Sequence, residues 1–133
     1  TTHIKKNSMF NTPPVFPVYV SMLTLEWLKK NGGVEWIEKV NQVKADLIYG
    51  EIDRNPLFTG SSAIEDRSNM NVTFLLNDTS LEEQFNQMWQ AAGCNGLKGH
   101  RSVGGFRASI YNALPLESVQ VLVGVMQELE KKA

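Results

Sequence analysis

Two long stretches of helical apolar spacing, separated by an Asn31-Gly32-Gly33 break, limit the folds open to this chain more than any other feature. Apolar residues recur every three or four positions over residues 15–30, which predicts an amphipathic helix. The same spacing over residues 34–53 predicts a second helix. Glycines and asparagines are the residues that most often end a helix. The chain is therefore expected to begin with two helices joined by a tight turn.

The remainder of the chain mixes strand and helix patterns. Residues 70–76 are β-branched, aromatic and aliphatic, which predicts a strand, and residues 97–98 and 106–111 are two further candidates. Helical spacing occupies residues 81–92 and the segment that begins near residue 115. The order is two helices followed by strand, helix, strand, strand and helix. It predicts an α+β fold, in which helices cover one face of a small antiparallel sheet.

Polar residues mark two of the predicted helix starts. Asn11 or Thr12 stands before Pro13-Pro14 and is predicted to cap the first helix. An amide and a hydroxyl ahead of a helix start also suit a phosphate group, so this pair has either a capping or a binding role. Ser80 and Glu83 have the spacing of a capping box for the helix over residues 81–92.

Composition excludes several classes of protein. The chain has 133 residues, of which 42% are apolar and 20% are charged, and its single cysteine, Cys94, excludes an internal disulfide. It contains no apolar run long enough to span a membrane, and its pI near 6.1 argues against nucleic-acid binding. Cys94, His3 and His100 are too few and too scattered for a metal site. We therefore expect a cytoplasmic domain that binds no metal, nucleic acid or membrane.

The net charge of -1 conceals an uneven distribution of charges. Residues 84–116 contain Lys98, Arg101 and Arg107 but no acid, and His100 lies in the same window. Such a window has the outline of an anion site. A solvated basic face is an equally good explanation of the charges alone.

The segment KGHRSVGGFR, residues 98–107, favours an anion site over a solvated basic face. Its three glycines allow the backbone to approach a ligand closely. Each guanidinium, of Arg101 and of Arg107, can hold a carboxylate or a phosphate through two parallel hydrogen bonds. His100 is either a titrating group or a further hydrogen-bond donor. The segment therefore predicts a site for a small molecule that carries two anionic groups.

Three stretches carry a resemblance to a known family. They are NSMFNTPP (residues 7–14), DRSNMNV (66–72) and KGHRSVGGFRASIYNA (98–113). Together with the break after the first helix, they closely resemble the C-terminal part of the phosphoserine aminotransferases, which are class-V, fold-type-I enzymes that use pyridoxal 5'-phosphate. The resemblance extends over essentially the whole chain.

The resemblance implies a function and a set of site residues. It implies a homodimeric enzyme that interconverts 3-phosphohydroxypyruvate and glutamate with phosphoserine and 2-oxoglutarate in serine biosynthesis, and that also serves pyridoxine biosynthesis in many bacteria. By the family pattern, Asn11 and Thr12 contact the cofactor phosphate of the other subunit. Arg107 would hold the substrate α-carboxylate. His100 and Arg101 would lie near the distal phosphate or carboxylate.

The family pattern also requires residues that this sequence lacks. Its Schiff-base lysine stands in a Gln-Lys-Asn context, which occurs nowhere in the chain, so no catalytic residue is assigned. We expect residues 1–14 to be a segment of the cofactor phosphate site and dimer contact, and residues 15–133 to be the C-terminal small domain. The isolated chain would then be inactive without its large domain. The alternative is a stand-alone regulatory module that binds a small dianionic metabolite through Arg101 and Arg107.

Overall fold

The computed structural model describes residues 1–99 and 104–133. Its helices and strands are, in chain order, α1 (Thr2–Lys5), α2 (Val15–Lys30), α3 (Gly33–Arg54), β1 (Phe58–Gly60), β2 (Asn71–Leu76), α4 (Glu82–Ala91), β3 (Phe106–Ser109) and α5 (Leu116–Lys132). Short 3-10 turns occupy Ile64–Asp66 and Thr79–Leu81. The chain divides into two compact units, residues 1–37 and 38–133, and the boundary lies within α3.

The second unit contains a three-stranded antiparallel sheet in the order β1-β2-β3. Its two longer strands alternate between buried and more exposed side chains, as expected for a sheet that is covered on one face. The side chains on the buried face of these two strands are Val72, Phe74, Leu76, Phe106 and Ala108. The predicted α+β fold and its antiparallel sheet are confirmed.

Helices α3, α4 and α5 supply the rest of this core. Ile48 of α3, Phe85 of α4 and Met126 of α5 are all fully buried in one cluster with the sheet side chains. The Phe85 ring makes edge-to-face contacts with Phe58 and Phe106, at centroid distances of 5.4 and 4.9 Å. Such aromatic pairs add to the stabilisation that burial itself provides.

The first unit contains α2, whose apolar side chains remain exposed. None of the residues of α2 is buried, and Phe16 and Leu25 are 75% and 64% exposed. Trp27 contacts Trp36 edge to face, with a centroid distance of 5.7 Å. The apolar spacing correctly predicted a helix, but this helix has no core of its own within the described residues.

Both predicted caps are wrong. Helix α2 begins at Val15, with Pro14 as its N-cap residue and without a side-chain cap. A residue that precedes proline is restricted to extended conformations, so the helix cannot begin directly after Asn11 or Thr12. At the other position, the Asp78 carboxylate accepts from the Ser80 N–H at 2.9 Å and starts a 3-10 turn, so α4 begins only at Glu82.

The sheet differs from its prediction at two places. Strand β1 has only three residues and was not predicted, because so short a segment has no detectable alternation. The segment predicted over residues 97–98 makes a single antiparallel bridge, between Lys98 and Phe106. Strand β3 ends at Ser109 instead of residue 111.

Candidate functional site

Arg107 lies on the open face of the sheet. It occupies β3 between Phe106 and Ala108, whose side chains enter the core, so its own side chain is on the opposite, exposed face. Its backbone N–H donates to the Leu97 carbonyl at 2.7 Å, and its register partner in β2 is Thr73. Within residues 1–99 and 104–133, no carboxylate forms an ion pair with Arg107. Among the described residues, its guanidinium therefore has no acidic partner that would compete with an anionic ligand.

Polar side chains continue along this face from Arg107. Ser109 stands two residues further along β3 and its Oγ donates to the Oδ1 of Asn71 on β2, at 3.0 Å. Tyr111 follows, 55% exposed, and hydrogen bonding with Asn71 and then Ser109 lowers the pKa of its phenol, as does the nearby charge of Arg107. Among the described residues of β3 and its continuation, Arg107 thus stands beside neutral hydrogen-bonding groups on the open face.

Glycines shape the backbone on either side of residues 100–103. The Gly99 N–H donates to the Gly105 carbonyl at 2.8 Å. Gly105 has a φ of +65°, and a Cβ there would overlap the Leu75 side chain and the Phe74 carbonyl oxygen. A Cβ at Gly99 would overlap the Gly104 carbonyl. The glycines at the two ends of this segment thus allow close packing within the chain, and their predicted role in approaching a ligand stays a prediction. His100 and Arg101 lie outside the described residues, and their predicted roles stay predictions.

The predicted cofactor residues belong to the first unit. Asn11 and Thr12 are exposed and lie in the irregular segment before α2. Among the described residues, neither side chain has a hydrogen-bond partner. Their amide and hydroxyl donors are thus free to bind a phosphate group, which accepts hydrogen bonds of this kind.

A buried lysine was missed by the sequence analysis. Lys44 of α3 has no exposed surface, and its Nζ donates to the carbonyls of Ile110, Tyr111 and Leu114 at 3.1, 2.8 and 3.1 Å. Burial lowers the pKa of the Lys44 ammonium. It stands in the apolar stripe of α3, one turn before Ile48, and a lysine at such a position is the sequence signal that could have revealed it.

One cavity of the second unit does not include Arg107 among its lining residues. It has a volume of about 380 Å³ and lies between the segment after α4, strand β3 and helix α5. Cys94, Leu97, Ile110 and Leu122 are among its lining residues. Cys94 is half-buried against the core, and burial raises the pKa of its thiol. An unreactive, packed cysteine was the favoured interpretation of the sequence, and this environment agrees with it.

The described part of the chain offers neither a membrane span nor a metal site. No helix in it is long and apolar enough to cross a membrane. No three residues among its histidines, cysteines, aspartates and glutamates lie close enough together to hold a metal ion.

Comparison with known proteins identifies the family. The model of the class-V aminotransferases matches residues 1–122. The chain belongs to this family. It is 68% identical over 130 residues to the phosphoserine aminotransferase of Flavobacterium psychrophilum, a match that covers 98% of the chain and 36% of that relative. The chain is also 56% identical over 133 residues to the phosphoserine aminotransferase of Parabacteroides distasonis, a match that covers 98% of this chain and 38% of that relative.

Solved structures of the same class-V family have the same fold. The phosphoserine aminotransferase from Bacillus circulans subsp. alkalophilus matches with a TM-score of 0.92 and 44% identity, covering 98% of this chain and 37% of that one. The pyridoxal-phosphate-bound enzyme from Trichomonas vaginalis matches with a TM-score of 0.86 and 38% identity, covering 94% and 36%. The class-V chain described here therefore spans little more than a third of its relatives.

Proposed function

We propose that the chain is the C-terminal part of a phosphoserine aminotransferase. The observation that carries this proposal is the 68% identity to a relative of that name over 98% of the chain. The complete enzyme would interconvert 3-phosphohydroxypyruvate and glutamate with phosphoserine and 2-oxoglutarate, in the cytoplasm, for serine and pyridoxine biosynthesis. Residues 1–14 would be the cofactor and dimer-contact segment, and residues 15–133 the small domain.

Arg107 is the proposed site of the substrate α-carboxylate. A guanidinium holds a carboxylate through two parallel hydrogen bonds, and Arg107 is exposed, fixed by strand pairing and without a described acidic partner. His100 and Arg101 would receive the distal anion, which is a phosphate in phosphoserine and a carboxylate in glutamate. One pair of cationic positions can then serve both half-reactions, because both amino donors carry an anion at each end.

Asn11 and Thr12 fit the phosphate of pyridoxal 5'-phosphate. Their side chains are exposed and offer amide and hydroxyl donors that no described residue uses. When bound, the cofactor supplies the electron sink for transamination. We propose that both residues hold the phosphate of a cofactor bound to the other subunit. The lysine that tethers the cofactor would come from the part of the enzyme outside this chain.

The exposed face of α2 supports an association with further protein. Val15, Phe16, Val18, Tyr19 and Leu25 are each more than half exposed on this one helix. Contiguous apolar surface of this kind marks an interaction site. The partner would be either the large domain of the same polypeptide or a second subunit in a homodimer.

Substitution of Arg107 in the complete enzyme tests its role. We expect Arg107→Gln to raise the KM for glutamate about thirtyfold or more, because one charged partner of the carboxylate is lost. The exposed Lys39 of α3 provides the matched control, and Lys39→Gln should leave KM unchanged. Unaltered kinetics of Arg107→Gln would contradict its assignment. A complete enzyme without phosphoserine-dependent transamination would contradict the proposed function.

Experiments on the isolated chain distinguish this proposal from the alternative of a stand-alone regulatory module. Without the tethering lysine, it should form no borohydride-reducible adduct with pyridoxal phosphate and should show no turnover. Calorimetry should detect only weak binding of phosphoserine, because part of the site lies outside the chain. Micromolar binding by the chain alone would instead favour a stand-alone metabolite-binding module.

A further inference from the structure

The buried ammonium of Lys44 gathers the backbone that follows β3. It donates to three carbonyls, of Ile110, Tyr111 and Leu114, at distances of 3.1 Å or less. An ammonium has three N–H donors, so these bonds use all of them. No described carboxylate pairs with this lysine. Lys44 therefore holds a stretch of main chain and not another charge.

A charge in this position is costly to bury. Without compensation, a buried ammonium costs several kcal/mol, and well-packed apolar residues often replace buried charges without loss of stability. An apolar side chain at position 44 would continue the stripe formed by Ile37 and Ile48. It would also leave the three carbonyls without this donor. The benefit of a lysine is thus the fixed geometry of residues 110–114.

A second side chain of α3 holds the same segment. Asn41 lies one turn before Lys44, is only 7% exposed, and donates from Nδ2 to the Oδ1 of Asn112 at 2.7 Å. On its other side, the segment is joined to the sheet, because the Ile110 N–H donates to the Met70 carbonyl at 2.9 Å. The backbone is thus fixed both by α3 and by the strand beside it.

The fixed segment begins three residues after Arg107. Arg107 and Ser109 project onto the open face of β3, and Tyr111 continues this polar row. A shift of residues 110 and 111 would therefore change the position of the strand end that carries Arg107. Lys44 itself is fully buried and therefore has no direct access to a ligand on the open face.

We propose that Lys44 is a positioning residue for Arg107. By fixing residues 110–114 after the end of β3, it fixes the part of the strand that carries the Arg107 side chain. The proposal rests on the proposed carboxylate-binding role of Arg107. It adds that the affinity for the carboxylate depends on a buried lysine that never touches the substrate.

Kinetics of the complete enzyme provide the first test. We expect Lys44→Met to raise the KM for glutamate about tenfold or more, since small displacements of a binding group have large effects, while kcat changes much less. Asn112→Ala removes only the bond to Asn41 and should raise KM less, by about threefold. Lys39→Met, an exposed position of the same helix, is the control and should match the unmodified enzyme.

Amide hydrogen exchange provides a second test that does not depend on the reaction. In Lys44→Met, the amides of Arg107 and Ile110, which donate to the Leu97 and Met70 carbonyls, should exchange at least about tenfold faster, while those of β1 and α4 keep their rates. Uniformly faster exchange, with kcat and KM unaltered, would show that Lys44 only stabilises the core and would overturn the proposal. If Lys44→Met does not fold, an unchanged KM and unchanged local exchange in Asn112→Ala overturn it. If the unmodified complete enzyme has no transaminase activity, the proposed function is refuted. The amide hydrogen exchange of Lys44→Met still tests in that case whether Lys44 fixes the end of β3.

Discussion

At the scale of single residues, backbone geometry at Gly105 determines how the chain enters β3. Its φ of +65° disfavours every residue with a side chain, and a Cβ would overlap Leu75 and the Phe74 carbonyl. We expect Gly105→Ala to lower the free energy of unfolding by about 1–3 kcal/mol, measured by urea denaturation. Gly124 of α5 is the control, because it has open space and helical geometry. Gly124→Ala should stabilise by about 0.5–1 kcal/mol, and equal effects of the two substitutions would contradict this explanation.

The residue scale also separates what the sequence could predict from what it could not. Arg107 was predicted as a binding residue because its charge, neighbouring glycines and family pattern coincide in one segment, and the structure shows only that it is exposed on β3. Lys44 was missed because its role arises from three carbonyls more than 60 positions away in the chain, and no local pattern reports such contacts. The predicted cap at Asn11 or Thr12 failed for a different, local reason, because the conformation imposed by Pro13-Pro14 outweighed the capping preferences of these two residues.

At the scale of elements, a buried carboxylate joins α3 to α5. Glu51 is 4% exposed and accepts from Arg54 at 2.8 Å, Asn55 at 2.9 Å and Gln127 at 3.1 Å. Arg54 also donates to Glu130 of α5 at 2.7 Å. Burial raises the pKa of Glu51, but the hydrogen bonds from these three partners and the charge of Arg54 together outweigh burial, so the pKa lies below its ordinary value of 4.5.

The stabilisation from Glu51 should depend on pH. Because its pKa is lower in the folded chain, the contribution is complete well above pH 4.5 and is lost as the pH falls through the folded-state pKa. We expect Glu51→Gln to cost about 2 kcal/mol at pH 7, and the difference from the unmodified chain should shrink towards pH 3. Urea denaturation at several pH values measures it, with Glu38→Gln on the exposed side of α3 as control. A difference that is constant with pH would contradict the assignment.

Element types were more predictable than element limits. The long helices α2, α3 and α5 and strand β2 were predicted because each has several periods of apolar spacing. Strand β1 has only three residues and forms because it pairs with β2. Its Phe58 pairs with Leu76 of β2, which lies 18 positions later in the chain. Tertiary pairing, and not local preference, determines a strand of that length.

At the scale of the whole molecule, α2 is the longest of the described helices that bury no residue. The second unit has a closed core formed by one sheet face and three helices, whereas the first unit leaves every residue of α2 at least partly exposed. Sequence periodicity predicts that a helix has an apolar face but not what covers that face. The relatives of this chain are almost three times as long, and the large domain or second subunit proposed above would cover this helix.

The exposed face of α2 predicts self-association of the isolated chain. Water contact with Phe16, Val18 and Leu25 is unfavourable, and association of two copies would remove part of that surface from water. We expect sedimentation velocity to show species larger than the monomer as the protein concentration rises. Phe16→Glu should weaken this association about tenfold or more, because the new carboxylate would be buried without a partner. Ile64→Glu is the matched control, since Ile64 is also 75% exposed but belongs to the second unit. Equal effects of both substitutions, or a monomer at every concentration, would show that α2 is not a self-association surface.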